Sequence, residues 1–176
     1  MSSQYLRIPY ERIAVLIGPK GKTKNEIEAK TNSSIEIDSD SGEAEVNYKG
    51  DNELELFKAS NIIKAIGRGF SPEHAFALLD DEFVLEVINL VELVGKSAKA
   101  LSSKKGRIIG KKGAARKEIE EETETFISVY GKTVAIIGKP ENIKKALRAI
   151  EMLLQGAEHK TVYDFLKTKE SKRFEL

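Results

Sequence analysis

Two short stretches of the chain carry glycines three apart with lysine between them: Ile17-Gly18-Pro19-Lys20-Gly21 and Ile109-Gly110-Lys111-Lys112-Gly113. Glycines at that spacing let the backbone turn tightly and leave no side chain between it and a ligand. Each turn runs into a helical stretch, Lys22-Thr23-Lys24-Asn25-Glu26-Ile27-Glu28 and Ala114-Ala115-Arg116-Lys117-Glu118-Ile119-Glu120. The free N–H groups and positive dipole end of such a helix point back at the turn. The chemistry this corner offers is the binding of phosphate. Local charge supports it: Lys96 to Lys117 holds nine basic residues and no acidic one, with Arg107, Arg116 and Lys117 flanking the second turn.

Other chemistries find less support. Gly21-Lys22-Thr23 ends like a nucleotide-binding loop, but that motif needs a glycine at position 16, which is Leu, and the second copy has Ala114-Ala115 in place of Lys-Thr. There is no cysteine, so disulfides, thiolate metal sites and thiol catalysis are out. His74 and His159 each lack a ligand partner at metal-site spacing and read as surface or helix-end residues. Glu120-Glu121-Glu122 and Asp80-Asp81 read as exposed helix or loop charge. No catalytic constellation, metal site or cofactor site emerges, and the protein reads as a binder and not an enzyme.

These corners are placed by a duplicated unit. At an offset of 92 residues, Ile17 to Ile37 overlies Ile109 to Val129 with nine of 21 positions identical, Gly18/Gly110, Gly21/Gly113, Glu28/Glu120 and Thr31/Thr123 among them. Such self-similarity marks a repeated structural unit. In the first copy the pattern predicts a strand at Tyr5–Ile8, a helix at Tyr10–Leu16, and, after the turn, a helix at Lys22–Lys30. Strands at Ile35–Ile37 and Glu43–Tyr48 and a helix through Leu54 to Ile66 complete it. The second copy predicts a long apolar strand at Phe83–Val91 and helices over residues 97–108 and Gly113–Glu122. A hairpin turning at Gly131-Lys132 and an amphipathic helix at Pro140–Leu154 follow. The fold class is α+β, with domains at residues 1–80 and 81–176. The connection at Asp80-Asp81-Glu82 has no Gly/Ser linker, so the two domains are expected to pack together.

With 176 residues, 40% of them hydrophobic, the chain can bury two small cores. It contains no apolar run of about 18 residues and no signal-peptide core at its N-terminus, so a soluble, cytoplasmic protein without membrane association is expected. High Lys and Glu with two Gln and two Met is the usage of heat-adapted proteins. The net charge of +1 conceals acidic stretches at Asp38–Glu55 and Glu73–Glu92, which offer surfaces to a protein partner.

The order strand, helix, Gly-x-x-Gly, helix, strand, strand, helix resembles the type I K-homology (KH) domain, whose glycine loop clamps four nucleotides of a single strand. The resemblance implies βααββα units, each a three-stranded sheet covered by helices on one face, here with an extra C-terminal helix. The tandem, with Gly106-Arg107-Ile108-Ile109-Gly110-Lys111-Lys112-Gly113, Thr133-Val134-Ala135-Ile136-Ile137-Gly138 and Asn142-Ile143, is similar to archaeal relatives of the Partner-of-Nob (Dim-two) ribosome assembly factors. Membership implies binding of small-subunit ribosomal RNA near its 3′ end, with a translation initiation factor or rRNA-modifying and processing enzymes as partners; the protein is expected to be a monomer. Eukaryotic members tend to have a degenerate first loop. Gly18-Pro19-Lys20-Gly21 is intact, which leaves open whether one domain or both grip RNA.

In that reading the RNA-binding residues are Gly18, Pro19, Lys20, Gly21, Lys22, Lys24 and Ile35 in the first copy. In the second they are Arg107, Ile109, Gly110, Lys111, Lys112, Gly113, Arg116, Lys117 and Ile127. Bases are expected to lie on Ile17, Ile27, Ile35 and Ile37, and on Ile109, Ile119, Ile127 and Val129. Aromatic residues make up 7% and none sits in either glycine loop, so stacking on rings is not the expected mode. A general regulator of single-stranded or messenger RNA and a protein-binding scaffold are the alternatives.

Overall fold

Period-two alternation builds a sheet with one greasy and one charged face. In the computed structural model, which describes residues 2–168, the chain divides between Asp81 and Glu82 into two units. The first contains β1 (Ser3–Arg7), α1 (Tyr10–Ile17), α2 (Lys22–Thr31), β2 (Ser33–Asp38), β3 (Glu43–Tyr48), α3 (Glu53–Gly67) and α4 (Pro72–Ala75). Its antiparallel sheet has the order β1-β3-β2. Leu6, Ile35, Ala44, Val46 and Tyr48 point to one face and are buried with Leu16 and Ile27 of the helices and Ile62, Ile63 and Ile66 of α3. The other face sets Glu36 opposite Glu45 and Asp38 opposite Glu43. Like charges directly across a ladder cost stability, and they make this open face strongly acidic. Tyr5 donates its hydroxyl to Glu45 (3.0 Å), which pushes the phenol pKa up.

The second unit repeats the plan with β4 (Val84–Asn89), α5 (Leu90–Val94), α6 (Ala98–Ile109), α7 (Ala114–Thr123), β5 (Phe126–Tyr130), β6 (Thr133–Gly138), α8 (Pro140–Leu154) and α9 (His159–Lys167). The sheet order is β4-β6-β5, with Ile127 paired to Ile136. Leu101, Ile108, Ile119, Ile127, Val134, Ile136, Ile143, Ile150 and Leu153 form its core, and α9 adds Val162 and Leu166.

Two expectations need correction. The apolar strand predicted to run to Val91 stops at Asn89, whose side chain accepts the Val91 N–H (3.0 Å) and caps α5. An N-capping Asn satisfies a helix start better than it continues a ladder. On α8, Leu153 and not Leu154 completes the fully buried stripe, and Lys145 is buried as well, its Nζ donating to the Glu122 carbonyl (3.2 Å). No helix among the described residues is long and apolar enough to cross a membrane.

Candidate nucleic-acid interface

Both glycine corners have the same backbone. Gly18 (φ 73°, ψ 173°) and Gly110 (φ 72°, ψ 177°) end α1 and α6, each donating its N–H back into the helix, to Ala14 (2.9 Å) and Gly106 (2.8 Å). Lys20 and Lys112 follow at φ 54°, and Gly21 and Gly113 at φ 75° and 76°. The two glycines of each pair are required for different reasons. A Cβ on Gly18 would lie 2.3 Å from Thr23 Oγ1, and one on Gly110 would lie 2.6 Å from Ala115 Cβ. The first glycine therefore makes room for the following helix, not for a ligand. At Gly21 and Gly113 the added atom would meet nothing closer than 3.7 Å, so only the left-handed φ selects glycine there. Thr23, which lent the first loop its likeness to a nucleotide-binding motif, is buried under Gly18.

No side chain caps the N-terminus of α2 or α7; their first N–H groups, of Lys22 and Ala114, donate to the Pro19 and Lys111 carbonyls within the loop. Pro19, Lys20, Lys22, Lys111, Lys112 and Lys117 are exposed, and among the described residues no carboxylate pairs with any of these lysines. Gly18, Gly21, Gly110 and Gly113 are half-buried, as are Ile17 and Ile109 beside them. Ile37 and Val129 keep part of their surface. The structure thus gathers a tight glycine turn, exposed cations without ion-pair partners among the described residues, and a narrow apolar margin at each corner.

Several anticipated contacts are committed elsewhere. Ile27, Ile35, Ile119 and Ile127 are at most 3% exposed; they face the core and offer no side-chain surface to a base, because one sheet face and one helix stripe must be buried together. Arg107 turns away from the loop. Its Nη2 donates to the Ala157 carbonyl, while its own carbonyl accepts from His159 Nε2 (2.8 Å). With Lys104 donating to Leu154 (2.7 Å), α6 thereby satisfies carbonyls at the end of α8. Arg12 does the same for the end of α3, donating to the Ile66 and Phe70 carbonyls (2.8 and 2.7 Å). A basic block is partly a set of helix caps.

Lys24 and Arg116 pair with Glu28 and Glu120 one turn on, at 3.2 and 2.9 Å. Glu120 is not the idle helix charge its sequence setting suggests; it and Glu28 each clamp the following strand. Glu28 Oε1 accepts the Ile35 N–H (2.7 Å) and Glu120 Oε1 accepts the Ile127 N–H (2.8 Å). Their identity in both copies was the available signal. Glu120→Ala is expected to cost about 1–3 kcal/mol by leaving that N–H without an acceptor, with Glu120→Gln costing less. A urea midpoint unchanged by Glu120→Ala would refute the clamp.

A βααββα unit with a Gly-x-x-Gly corner between its first two long helices, present twice, defines a tandem type I KH-domain protein. Residues 84–171 match the family model described as eukaryotic type KH-domain (KH-domain type I), and residues 3–65 match the KH domain. A KH domain-containing protein of Methanocaldococcus jannaschii is 45% identical over 182 residues, covering 99% of this chain and 79% of that one. A chain in the crystal structure of the a/eIF2alpha–aDim2p–rRNA complex from Pyrococcus horikoshii OT3 is 48% identical, with a TM-score of 0.90, covering 98% of this chain and 95% of that one. The chain belongs to the Dim2p/PNO1 family of KH-domain proteins. RNA-binding protein PNO1 of Oryzias latipes is 37% identical over 109 residues, which is 61% of this chain and 45% of that protein, so the match spans less than half of the eukaryotic relative.

Proposed function

We propose that this protein binds single-stranded RNA through its two glycine loops and serves small-subunit ribosome assembly, with ribosomal RNA near the 3′ end as its ligand. The observation that carries the reading is the pair of glycine corners, each opening a helix, at which exposed lysines without an ion-pair partner among the described residues stand together. Phosphates position the strand there, through Lys20 and Lys22 in the first unit and Lys111, Lys112 and Lys117 in the second. Because neither loop holds an aromatic ring, bases meet aliphatic edges at Ile17, Ile37, Ile109 and Val129. The acidic sheet face of the first unit repels RNA and directs it to the loops. The action is binding, not catalysis, in the cytoplasm and by a monomer. The Pyrococcus complex, which unites a relative with rRNA and a/eIF2alpha, supports RNA and an initiation factor as partners.

Electrostatic grip at a few phosphates gives a slope of log affinity against log salt of roughly −2 to −4, at about −0.7 per phosphate neutralised on a single strand. A slope near zero in an oligoribonucleotide titration would sink the reading. Sequencing of RNA retained by the protein separates the alternatives. Enrichment of the ribosomal 3′ end supports assembly, a broad messenger profile supports regulation, and no retained RNA supports a scaffold.

A further inference from the structure

Where α9 lies along α8, a groove of about 310 Å³ is lined by Lys144, Lys145, Leu147, Arg148, Glu151 and Phe165. That volume is at the lower end of the roughly 300–1,000 Å³ typical of ligand sites, and it suits a few side chains of a peptide. Leu147 and Phe165 are half-buried, each packing on the core of the second unit and giving its remaining surface to the groove. Lys145 is withdrawn from it, because its Nζ donates to the Glu122 carbonyl. The floor is therefore apolar and the rim charged.

Along α8, Lys144, Leu147, Arg148 and Glu151 stand at i, i+3, i+4 and i+7, which places them in one stripe. It runs beside the buried stripe of Ile143, Ala146, Ile150 and Leu153, so it is not needed for the unit's own core. Its cations are available. Lys144 is exposed and has no ion-pair partner among the described residues, while Arg148 meets Glu151 only at 3.6 Å with both side chains more than half exposed. Such a pair is worth little, and the guanidinium is easily diverted to another carboxylate. The first unit lacks the feature. Its α3 has the length of α8, and the positions matching Leu147 and Phe165 are Ser60 and Leu78, buried at 1% and 3% exposure.

We infer that the groove between α8 and α9 docks an acidic, apolar segment of a protein partner. A leucine or aromatic side chain enters between Leu147 and Phe165, and carboxylates beside it pair with Lys144 and Arg148. The apolar floor and the carboxylate of Glu151 favour a peptide over a phosphate strand. None of the lining residues belongs to a glycine corner, so the inference goes beyond the RNA-binding reading and does not rest on it.

The test titrates the full chain with a fluorescein-labelled peptide, Glu-Glu-Leu-Phe-Glu-Glu-Leu, by anisotropy, and locates it by amide chemical shifts. The peptide should bind, with shifts concentrated on α8 and α9. Lys144→Glu and Arg148→Glu should each weaken it about fivefold and together about twentyfold, at unchanged melting temperature because both side chains are exposed. Serine in place of the peptide's Leu and Phe should cost about tenfold or more, which tests the apolar floor without altering the protein. No binding at millimolar peptide, affinity that ignores both reversals, or shifts away from α8 and α9 overturns the inference. Displacement of the peptide by an eight-nucleotide RNA would give the groove to RNA, and self-association of the chain abolished by the reversals would seat a second copy there; either overturns it too. Failure of the peptide to bind leaves the reading of the glycine loops untouched.

Discussion

Replacing Gly110 by Ala is expected to destabilise the second unit by roughly 3 kcal/mol or more, against about 1 kcal/mol for Gly113→Ala. The two positions differ in what surrounds them. Gly110, at φ 72° and ψ 177°, occupies a region open almost only to glycine, and its new Cβ would sit 2.6 Å from Ala115 Cβ and 2.7 Å from Ala115 N. Backbone strain and overlap with the following helix therefore add. Gly113 is left-handed at φ 76°, a conformation that Lys112 beside it already adopts at φ 54°, and nothing lies nearer than 3.9 Å. Chemical denaturation of the full chain, with hydrogen exchange followed at β5 and β6, measures both costs. Equal losses for the two variants would mean that helix packing does not select the first glycine.

Reversing charge at the second corner should have the largest effect on binding. If RNA lies along the second loop as proposed, Lys111→Asp with Lys112→Asp removes two phosphate contacts and places two carboxylates beside the strand, and RNA affinity should fall roughly 100-fold or more near physiological salt. The salt slope should shrink by about 1.4, the share of two phosphates. Stability should hold. Both side chains are exposed and, among the described residues, without ion-pair partners, and Asp tolerates the left-handed backbone at position 112. The matching change at Pro19 and Lys20 reports on the first loop, and the ratio of the two losses shows which unit grips more strongly. A salt slope unaltered by the double reversal would remove the lysines from the phosphate path.

Much of the architecture was legible because local rules and tertiary need agree. Alternation in Glu43–Tyr48, the Gly131-Lys132 turn and the stripe of Pro140–Leu154 each specify one element, and the observed elements coincide with them. The strand end at Asn89 was less visible, because Leu90-Val91 suits a strand or a helix and only the capping side chain decides. The corners themselves were legible from glycine spacing, since few residues other than glycine adopt those backbone angles.

Sequence alone determined the duplicated βααββα plan, the two glycine corners and the cations concentrated around the second, because each depends on residue type and spacing along the chain. Which cations remain available was decided by the tertiary structure. Arg107 and Lys104 are drawn to carbonyls about fifty residues away, and Lys24 and Arg116 are held by carboxylates that also clamp a strand. The same holds for the isoleucines, whose division between buried core and exposed margin depends on which face of each element meets its neighbours. A charge or an apolar side chain acquires its role from the partner folding brings to it, and that partner lies beyond any local window of sequence.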